Sequence, residues 1–182
     1  MTNENLYFLK VDLLSSDIEY LRQITRRVKD IANVGEFNDD FHLTVENSLY
    51  CPRKSIRNNL DTWLEMNSQF KFTLDSVDSF LSRTAGIIYL TSSSSEETDR
   101  MSDFHYGIHE LIKSTNPNKQ NNYRYIPHIT LLREVPTERV SQLIDIFLQE
   151  LVPFTINISE VTIRETKANG QETTTRHQLG GN

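Results

Sequence analysis

Two stretches decide how this chain is interpreted, FHLTVE at residues 41–46 and YIPHITLLR at residues 125–133, and each contains a His-x-Thr triplet. One triplet alone carries little information, since the five histidines and 17 threonines of the 182 residues produce about 0.5 such triplets by chance. Two triplets at equivalent points in a repeated order of elements are much harder to obtain by accident. The pair is therefore the strongest indication of function in the chain.

Each triplet is expected to lie on a β-strand. Apolar and polar residues alternate through the first stretch, which is typical of a half-buried strand and places His42, Thr44 and Glu46 on one face. In the second stretch the same spacing places His128 and Thr130 on a common face.

The surrounding sequence indicates one order of elements used twice, although the two halves do not align residue by residue. Predicted strands cover residues 6–14, 41–46, 70–74, 77–81, 86–91, 124–132 and 154–159. Predicted helices begin at a capping box of Ser16 and Glu19, after Pro52, after the serines at 92–95, and at a cap formed by Thr137. Residues 160–179 are expected to form a terminal hairpin on an Asn-Gly turn, with a frayed polar tail as the alternative.

Composition and charge limit the class of partner. The formal net charge of −6, from 19 basic and 25 acidic side chains, includes no basic stripe of the kind that binds long nucleic acids. A small nucleotide, a short oligonucleotide or an RNA end is therefore the expected substrate. The chain has no apolar run long enough to span a bilayer, no secretory-signal pattern and a single cysteine, Cys51. A cytoplasmic monomer without membrane association is expected.

The residue types fit acid–base chemistry at a phosphodiester. Imidazole can accept or donate a proton near neutral pH, so His42 and His128 can act as general base and general acid on one phosphorus. The hydroxyls of Thr44 and Thr130 can donate hydrogen bonds to nonbridging phosphoryl oxygens. This chemistry requires no metal or other cofactor. The alternative is that each histidine is a partly buried strand residue held by a hydrogen bond.

These motifs resemble those of the two-histidine (2H) phosphoesterase superfamily, in particular its 2′-5′ RNA ligase and cyclic phosphodiesterase branch. The second motif carries the resemblance best, with Pro127 before the histidine and Arg133 three residues after the threonine. The first motif departs from the pattern, with Phe41 in place of a proline and Val45 in place of a leucine. Neither change affects the side chains that would perform the chemistry.

The resemblance covers nearly the whole chain and implies a two-lobed α+β fold. In such a fold, antiparallel sheets related by a pseudo-two-fold axis surround a central cleft, and the helices pack outside. It implies a single domain over residues 1–182, formed by repeats of about 1–82 and 83–182 whose ends can be exchanged between the lobes.

The resemblance also implies the activity, a metal-independent cleavage of 2′,3′-cyclic phosphates or of 2′-5′-linked nucleotides. One alternative is a phage-type nuclease that degrades cyclic oligonucleotide defence signals. Another is a non-catalytic module that binds nucleotides or RNA ends. The identity of the substrate, and of the histidine that acts as the acid, stays open at this point.

Three residues are the candidates for substrate binding. Tyr125 and Tyr7, like Tyr123, could stack on a base, and the alternative for each is packing in the core. Arg133 could bind a phosphate through bidentate hydrogen bonds, and the alternative is an ion pair with Glu134 or another carboxylate. Specificity is expected to come from loops at residues 47–55 and 116–125.

One helix raises the question of a metal site. His105 and His109 are four residues apart on the third predicted helix, which is a spacing that metal sites use. The sequence indicates no third ligand beside them, and helix faces often carry such pairs. The favoured interpretation is that this pair binds no metal.

Overall fold

Antiparallel strands and four α-helices make up the residues that the computed structural model describes, 4–32, 34–52, 55–113 and 124–180. The strands are β1 (Glu4–Asp12), β2 (Glu36–Phe37), β3 (His42–Pro52), β4 (Phe70–Leu74), β5 (Ser76–Leu81), β6 (Ala85–Thr91), β7 (Ile129–Pro136), β8 (Phe154–Ile158), β9 (Glu160–Thr166) and β10 (Glu172–Gln178). The helices are α1 (Ser15–Ala32), α2 (Ser55–Met66), α3 (Ser95–Lys113) and α4 (Val140–Glu150), the last preceded by a 3-10 turn at Thr137–Arg139. The predicted α+β fold class is confirmed.

Two four-stranded sheets carry the two motifs. Their strand orders are β10-β9-β1-β3 and β2-β7-β6-β5, while β4 and β8 pair with each other. Neighbouring strands are antiparallel in all three sheets. Each four-stranded sheet contains strands from both halves of the chain, since β9 and β10 join β1, and β5 joins β6. The division into repeats near residue 82 stays a prediction.

The helices support the motif strands because their apolar residues recur at helical spacing. Leu21, Ile24 and Val28 of α1 are buried, as are Leu143 and Phe147 of α4. Helices α1 and α4 contact each other and the second sheet, while α2 and α3 contact each other and β3. Full burial of one such side chain contributes roughly 1.5–3 kcal/mol, so both motif strands rest on firmly packed layers. None of the described helices combines the length and apolarity needed to cross a membrane.

Two boundaries near the motifs differ from the predicted ones. Strand β3 continues to Pro52, so residues 47–52, which were expected to be part of a loop, belong to the strand, and 49–52 pair with β1. Residues 124–128, which were expected to be a strand, precede β7 without joining it. Pro127 has no N–H to donate to a ladder, and its carbonyl accepts a hydrogen bond from the Thr91 hydroxyl at 2.7 Å. His128 therefore lies at the entrance to its strand.

The predicted helix caps are wrong in detail, whereas the terminal hairpin is confirmed. Helix α1 begins at Ser15, and the Ser16 hydroxyl donates to the Asp17 carboxylate at 3.4 Å instead of forming a capping box. The Thr137 hydroxyl is buried without a hydrogen-bond partner, so it caps no helix. Strands β9 and β10 pair in full register around the five-residue loop 167–171, in which Gly170 has a φ of 80°.

The contact between α2 and α3 can be tested at Gly107, because a β-carbon there would lie 2.4 Å from Cζ2 of Trp63. Alanine favours a helix over glycine by about 1 kcal/mol, yet we expect Gly107→Ala to lower the free energy of unfolding by about 1–3 kcal/mol, the usual cost of overpacking. Urea denaturation measures this change. In a Trp63→Leu background the same substitution should stabilise the protein. Equal destabilisation in both backgrounds would contradict this packing.

Candidate active site

The first motif lies on β3, where the nearer of two irregularities in the pairing with β1 controls which side chains face the cleft. His42 pairs with Asp12 and Thr44 with Lys10, whereas Glu46 pairs with Leu9, which leaves Val45 as an extra residue in a bulge. Paired residues share a face of a sheet, so His42 and Thr44 lie on the half-buried face with Lys10. Glu46 lies on the covered face with Leu9, where it is 1% exposed.

The bulge corrects the predicted position of Glu46, which was expected beside His42 and Thr44. A bulge shifts the alternation of side chains by one residue, and Asn47 lines the cleft in place of Glu46. A neutral amide, which can donate hydrogen bonds, therefore stands where an unbroken strand would have placed a carboxylate. The bulge thus keeps a negative charge out of a region that contains two histidines.

The second motif lies at the start of β7, where neighbouring groups hold His128 in a defined orientation. Its Nδ1 lies 2.7 Å from the carbonyl oxygen of Ile126. Because a carbonyl can only accept, Nδ1 carries the hydrogen and the lone pair of the neutral ring is on Nε2. The imidazole packs between Phe80 and Tyr89, with ring centroids 5.0 Å away in each case. Thr130 follows on β7, paired with Tyr89.

All four motif side chains line one cavity of about 710 Å³, namely those of His42, Thr44, His128 and Thr130. The other residues that line it include Asn38, Asn47, Phe80, Arg124, Tyr125, Arg133 and Glu134. The structure thus brings together both predicted triplets, which lie 86 positions apart in the sequence. Two of the three substrate-binding candidates, Tyr125 and Arg133, are at the same cavity.

Tyr7, the third substrate-binding candidate, belongs to the core, which corrects its prediction. It is 8% exposed on the covered face of β1, and its hydroxyl donates to the Glu165 carboxylate at 3.2 Å. Its neighbour Phe8 faces the cleft side instead, with its ring edge-on to His42 at 5.4 Å. No ion pair joins Arg133 to Glu134 among the described residues. Tyr123, and the loop residues 53–54 and 116–123, lie outside the described part of the chain.

Burial lowers the pKa of both motif histidines below the usual value. For His42, desolvation is the largest cause, and the nearby Lys10 ammonium acts in the same direction. The Asp40 carboxylate, 3.5 Å from Nδ1 of His42, opposes this and raises the pKa, although the two atoms are not aligned for a hydrogen bond. For His128, desolvation again lowers the pKa, the Ile126 carbonyl raises it, and the charges of His42 and Arg133 lower it. The charge of His42 therefore acts on the pKa of His128.

Sequence reasoning missed two residues that line the cavity, Asn38 and Phe80, and one beside His42, Asp40. Asn38 approaches from the segment between β2 and β3, Phe80 from β5, and Asp40 from the turn before His42. The only available signal was the polar run Asn38 to Asp40 directly before the first motif. Phe80 could not be identified, because nothing local to β5 indicates that it packs against His128.

His105 and His109 meet a third ligand-type side chain that the sequence did not indicate. Glu46 joins them in the buried space under β3, and the three ligand-type atoms lie within 4.8 Å of one another. However, Nδ1 of His105 lies 2.7 Å from the carbonyl oxygen of Val45, so it carries a hydrogen and cannot coordinate an ion in this arrangement. Nδ1 of His109 lies 3.0 Å from the Glu46 carboxylate. The group forms a hydrogen-bonded cluster as it stands.

Comparisons with known proteins identify the family and the fold of the chain. The family model of the 2′-5′ RNA ligase superfamily matches residues 41–170, which include both motifs. Escherichia coli LigT complexed with 3′-AMP has a similar structure, with a TM-score of 0.63 and 18% identity over 98% of this chain and 99% of that chain. TT0787 of Thermus thermophilus gives 0.62 and 16%, and Kluyveromyces marxianus Usb1 gives 0.56 and 10%, each over 97% of this chain and 98% of the other. At these identities the structures show a shared fold. No curated protein sequence matches the chain.

The lowered histidine pKa values predict how stability depends on pH. The unfolded chain takes up protons on His42 and His128 as the pH falls below about 6.5, whereas the folded chain resists this because its pKa values are lower. Stability present above pH 6.5 is therefore lost as the pH falls toward the folded pKa values. Urea denaturation at pH 7.5 and 5.5 should show a smaller loss in the His42→Gln/His128→Gln double variant than in the parent. An equal or larger loss in the variant would contradict the burial of these rings.

Proposed function

We propose that this chain, which belongs to the 2′-5′ RNA ligase superfamily, is a phosphodiesterase that uses His42 and His128 as general acid and base. The observation that carries the proposal is the single cavity lined by both histidines and both motif threonines. Its substrates would be 2′,3′-cyclic phosphates or 2′-5′-linked nucleotides. The family is the source of this expected substrate class, and the cavity contains the side chains that would perform the cleavage.

The arrangement suits an in-line reaction at phosphorus. One imidazole takes a proton from the attacking water or hydroxyl, and the other gives a proton to the departing oxygen. The hydroxyls of Thr44 and Thr130 donate to nonbridging oxygens, on which negative charge develops. Because both rings are partly buried, their hydrogen bonds to a phosphate would be stronger than in open water.

Local electrostatics favour His128 as the base and His42 as the acid. His128 has its Nδ1 hydrogen engaged by Ile126, which leaves a lone pair on Nε2 ready to accept a proton. The positive Arg133 further disfavours protonation of His128. His42 has the Asp40 carboxylate beside it, which stabilises the protonated ring. In the reverse reaction the two roles would be exchanged.

Charge and neighbouring residues indicate a small substrate. Arg133 and Arg124 line the cavity with one carboxylate, Glu134, so the cavity lining is more positive than the chain, whose net charge is −6. The E. coli LigT structures hold small nucleotides, 3′-AMP, ATP and NADP+. By analogy, Arg133 would contact a phosphate, whereas the Tyr125 ring is 7% exposed and stacks on His105, so it is less available to a base than the sequence suggested. A terminal or short phosphodiester fits this cavity better than a long strand.

Turnover without metal is the first test of this proposal. In excess chelator, the protein should cleave at least one member of a panel of 2′,3′-cyclic-phosphate RNA ends, 2′-5′ oligoadenylate, cyclic dinucleotides and cyclic trinucleotides. His42→Ala and His128→Ala should each lower kcat by about 10²–10⁴-fold, the range for loss of a general acid or base. His177→Ala, on β10 and outside the cavity lining, is the matched control and should retain activity.

Three outcomes would count against the mechanism in different ways. Activity that survives in both histidine variants would contradict the two-histidine chemistry. Activity that appears only with added metal would contradict a metal-independent reaction. Tight binding of a panel member without turnover would identify a binding module, the alternative in which the cleft is kept without catalysis.

The assignment of roles can be tested through Asp40. Because its carboxylate raises the pKa of His42, Asp40→Asn should lower that pKa. The alkaline limb of the pH–rate profile, on which the acid loses its proton, should therefore move to lower pH. The acidic limb, assigned to His128, should move less. If the acidic limb moved instead, His42 would be the base.

A further inference from the structure

Two hydrogen bonds join the motifs to each other, and they have reciprocal positions. Asn38, four residues before His42, donates from Nδ2 to the main-chain carbonyl of Thr130 at 3.0 Å. Tyr125, three residues before His128, donates from its hydroxyl to the main-chain carbonyl of Thr44 at 2.7 Å. Each side chain thus belongs to the segment just before one motif and binds the main-chain carbonyl of the threonine in the other motif.

The orientation of the Asn38 amide follows from its surroundings. Its Nδ2 lies 3.0 Å from the Thr130 carbonyl oxygen and also 3.0 Å from the carbonyl oxygen of Asp40. Only the NH₂ group can donate to two carbonyls, so the opposite orientation of the amide would place oxygen against oxygen. The main-chain N–H of Asn38 donates to Leu131 at 3.3 Å as well. The segment just before His42 is therefore bound to β7 at the adjacent carbonyls of Thr130 and Leu131.

Tyr125 is held in place by the buried cluster of His105, His109 and Glu46. The His105 ring stacks on the Tyr125 ring, with centroids 4.0 Å apart and an interplanar angle of 9°. His105 in turn donates to the Val45 carbonyl at 2.7 Å, next to the carbonyl that Tyr125 binds. His109 and Glu46 complete the cluster at 3.0 Å. His105 and Glu46 are 2% and 1% exposed, so neither can touch a substrate in the cavity.

We propose that Asn38 and Tyr125 are positioning residues that set the separation of the two motifs, and that His105 acts through Tyr125. The inference rests on the proposed function for its kinetic consequence. A phosphate held between two histidines requires both rings at the correct distance, and errors of about 1 Å can lower a rate by 10²-fold. We call these two hydrogen bonds, from Asn38 and Tyr125, the clamp. Because they bind the carbonyls of Thr130 and Thr44, the clamp acts on the main chain of each triplet.

The clamp can be tested with variants that remove one donor and little else. Tyr125→Phe keeps the ring, and Asn38→Leu keeps most of the volume. Each should lower kcat by about tenfold or more while KM changes by less than about threefold, because geometry in the transition state is lost while binding is retained. His105→Asn, which removes the stacked ring at a site remote from substrate, should lower kcat in the same way.

Matched controls remove equivalent hydrogen bonds elsewhere. Tyr20→Phe deletes a tyrosine hydroxyl that donates to the Val152 carbonyl at 3.1 Å, and Asn67→Leu deletes an amide that donates to the Trp63 carbonyl at 2.7 Å. Both should retain kcat, since neither contacts a motif. All variants are compared below their unfolding temperatures. A loss of kcat in the controls as large as in the clamp variants would overturn the proposal, because it would reflect general destabilisation.

A second readout does not depend on turnover. In the free protein, the ¹³C carbonyl resonance of Thr44 should shift in Tyr125→Phe, and that of Thr130 in Asn38→Leu, while Tyr20→Phe moves neither. Unshifted resonances would overturn the clamp even if activity fell, since the residues would then act on the substrate. If the parent protein cleaves no phosphodiester, the proposed function fails, and these resonances still decide whether the clamp exists. A change in KM alone would also overturn the positioning role.

Discussion

The two-residue period of strand β3, together with the bulge at Val45, is the constraint on which the site depends. Leu43 and Val45 are fully buried, and their packing turns His42 and Thr44 toward the cavity. The bulge then sends Glu46 into the covered layer beneath the sheet, and Asn47 takes its place at the cavity. A carboxylate beside Thr44 would repel a phosphate. The same carboxylate in the interior accepts a hydrogen bond from His109 and helps to hold α3 against β3.

Burial gives the two histidines related but unequal properties. Desolvation lowers the pKa of both rings, so both tend toward the neutral form in the free protein. Asp40 opposes this effect at His42, whereas Arg133 adds to it at His128. Two imidazoles in identical surroundings would have no preference as to which one donates the proton. The unequal surroundings provide a physical reason for one ring to hold the proton and the other to accept it.

The sequence predicts most of the architecture, because alternation and helical spacing are local properties. Strands β4, β5, β6 and β8, the four helices and the terminal hairpin follow from such patterns, as does the strand that carries His42. The bulge at Val45, the burial of Tyr7 and the late start of β7 depend on which residues pair across strands, and no local pattern contains that information. Phe80 reaches the cavity from a segment distant in sequence, and the bond from Asn38 to the Thr130 carbonyl crosses between the two motifs, so only the folded chain shows these contacts. The candidate catalytic residues could be predicted because the His-x-Thr triplet occurs twice in the sequence.

The central claim is that both histidines act on one phosphate. The most direct measurement is a titration of the ¹⁵N-labelled protein with a 2′-nucleoside monophosphate, observing the imidazole resonances of His42 and His128. We predict that both rings shift together and give the same Kd, with His177 as an internal control outside the cavity. A shift of only one of the two rings, or two different Kd values, would contradict a shared phosphate site.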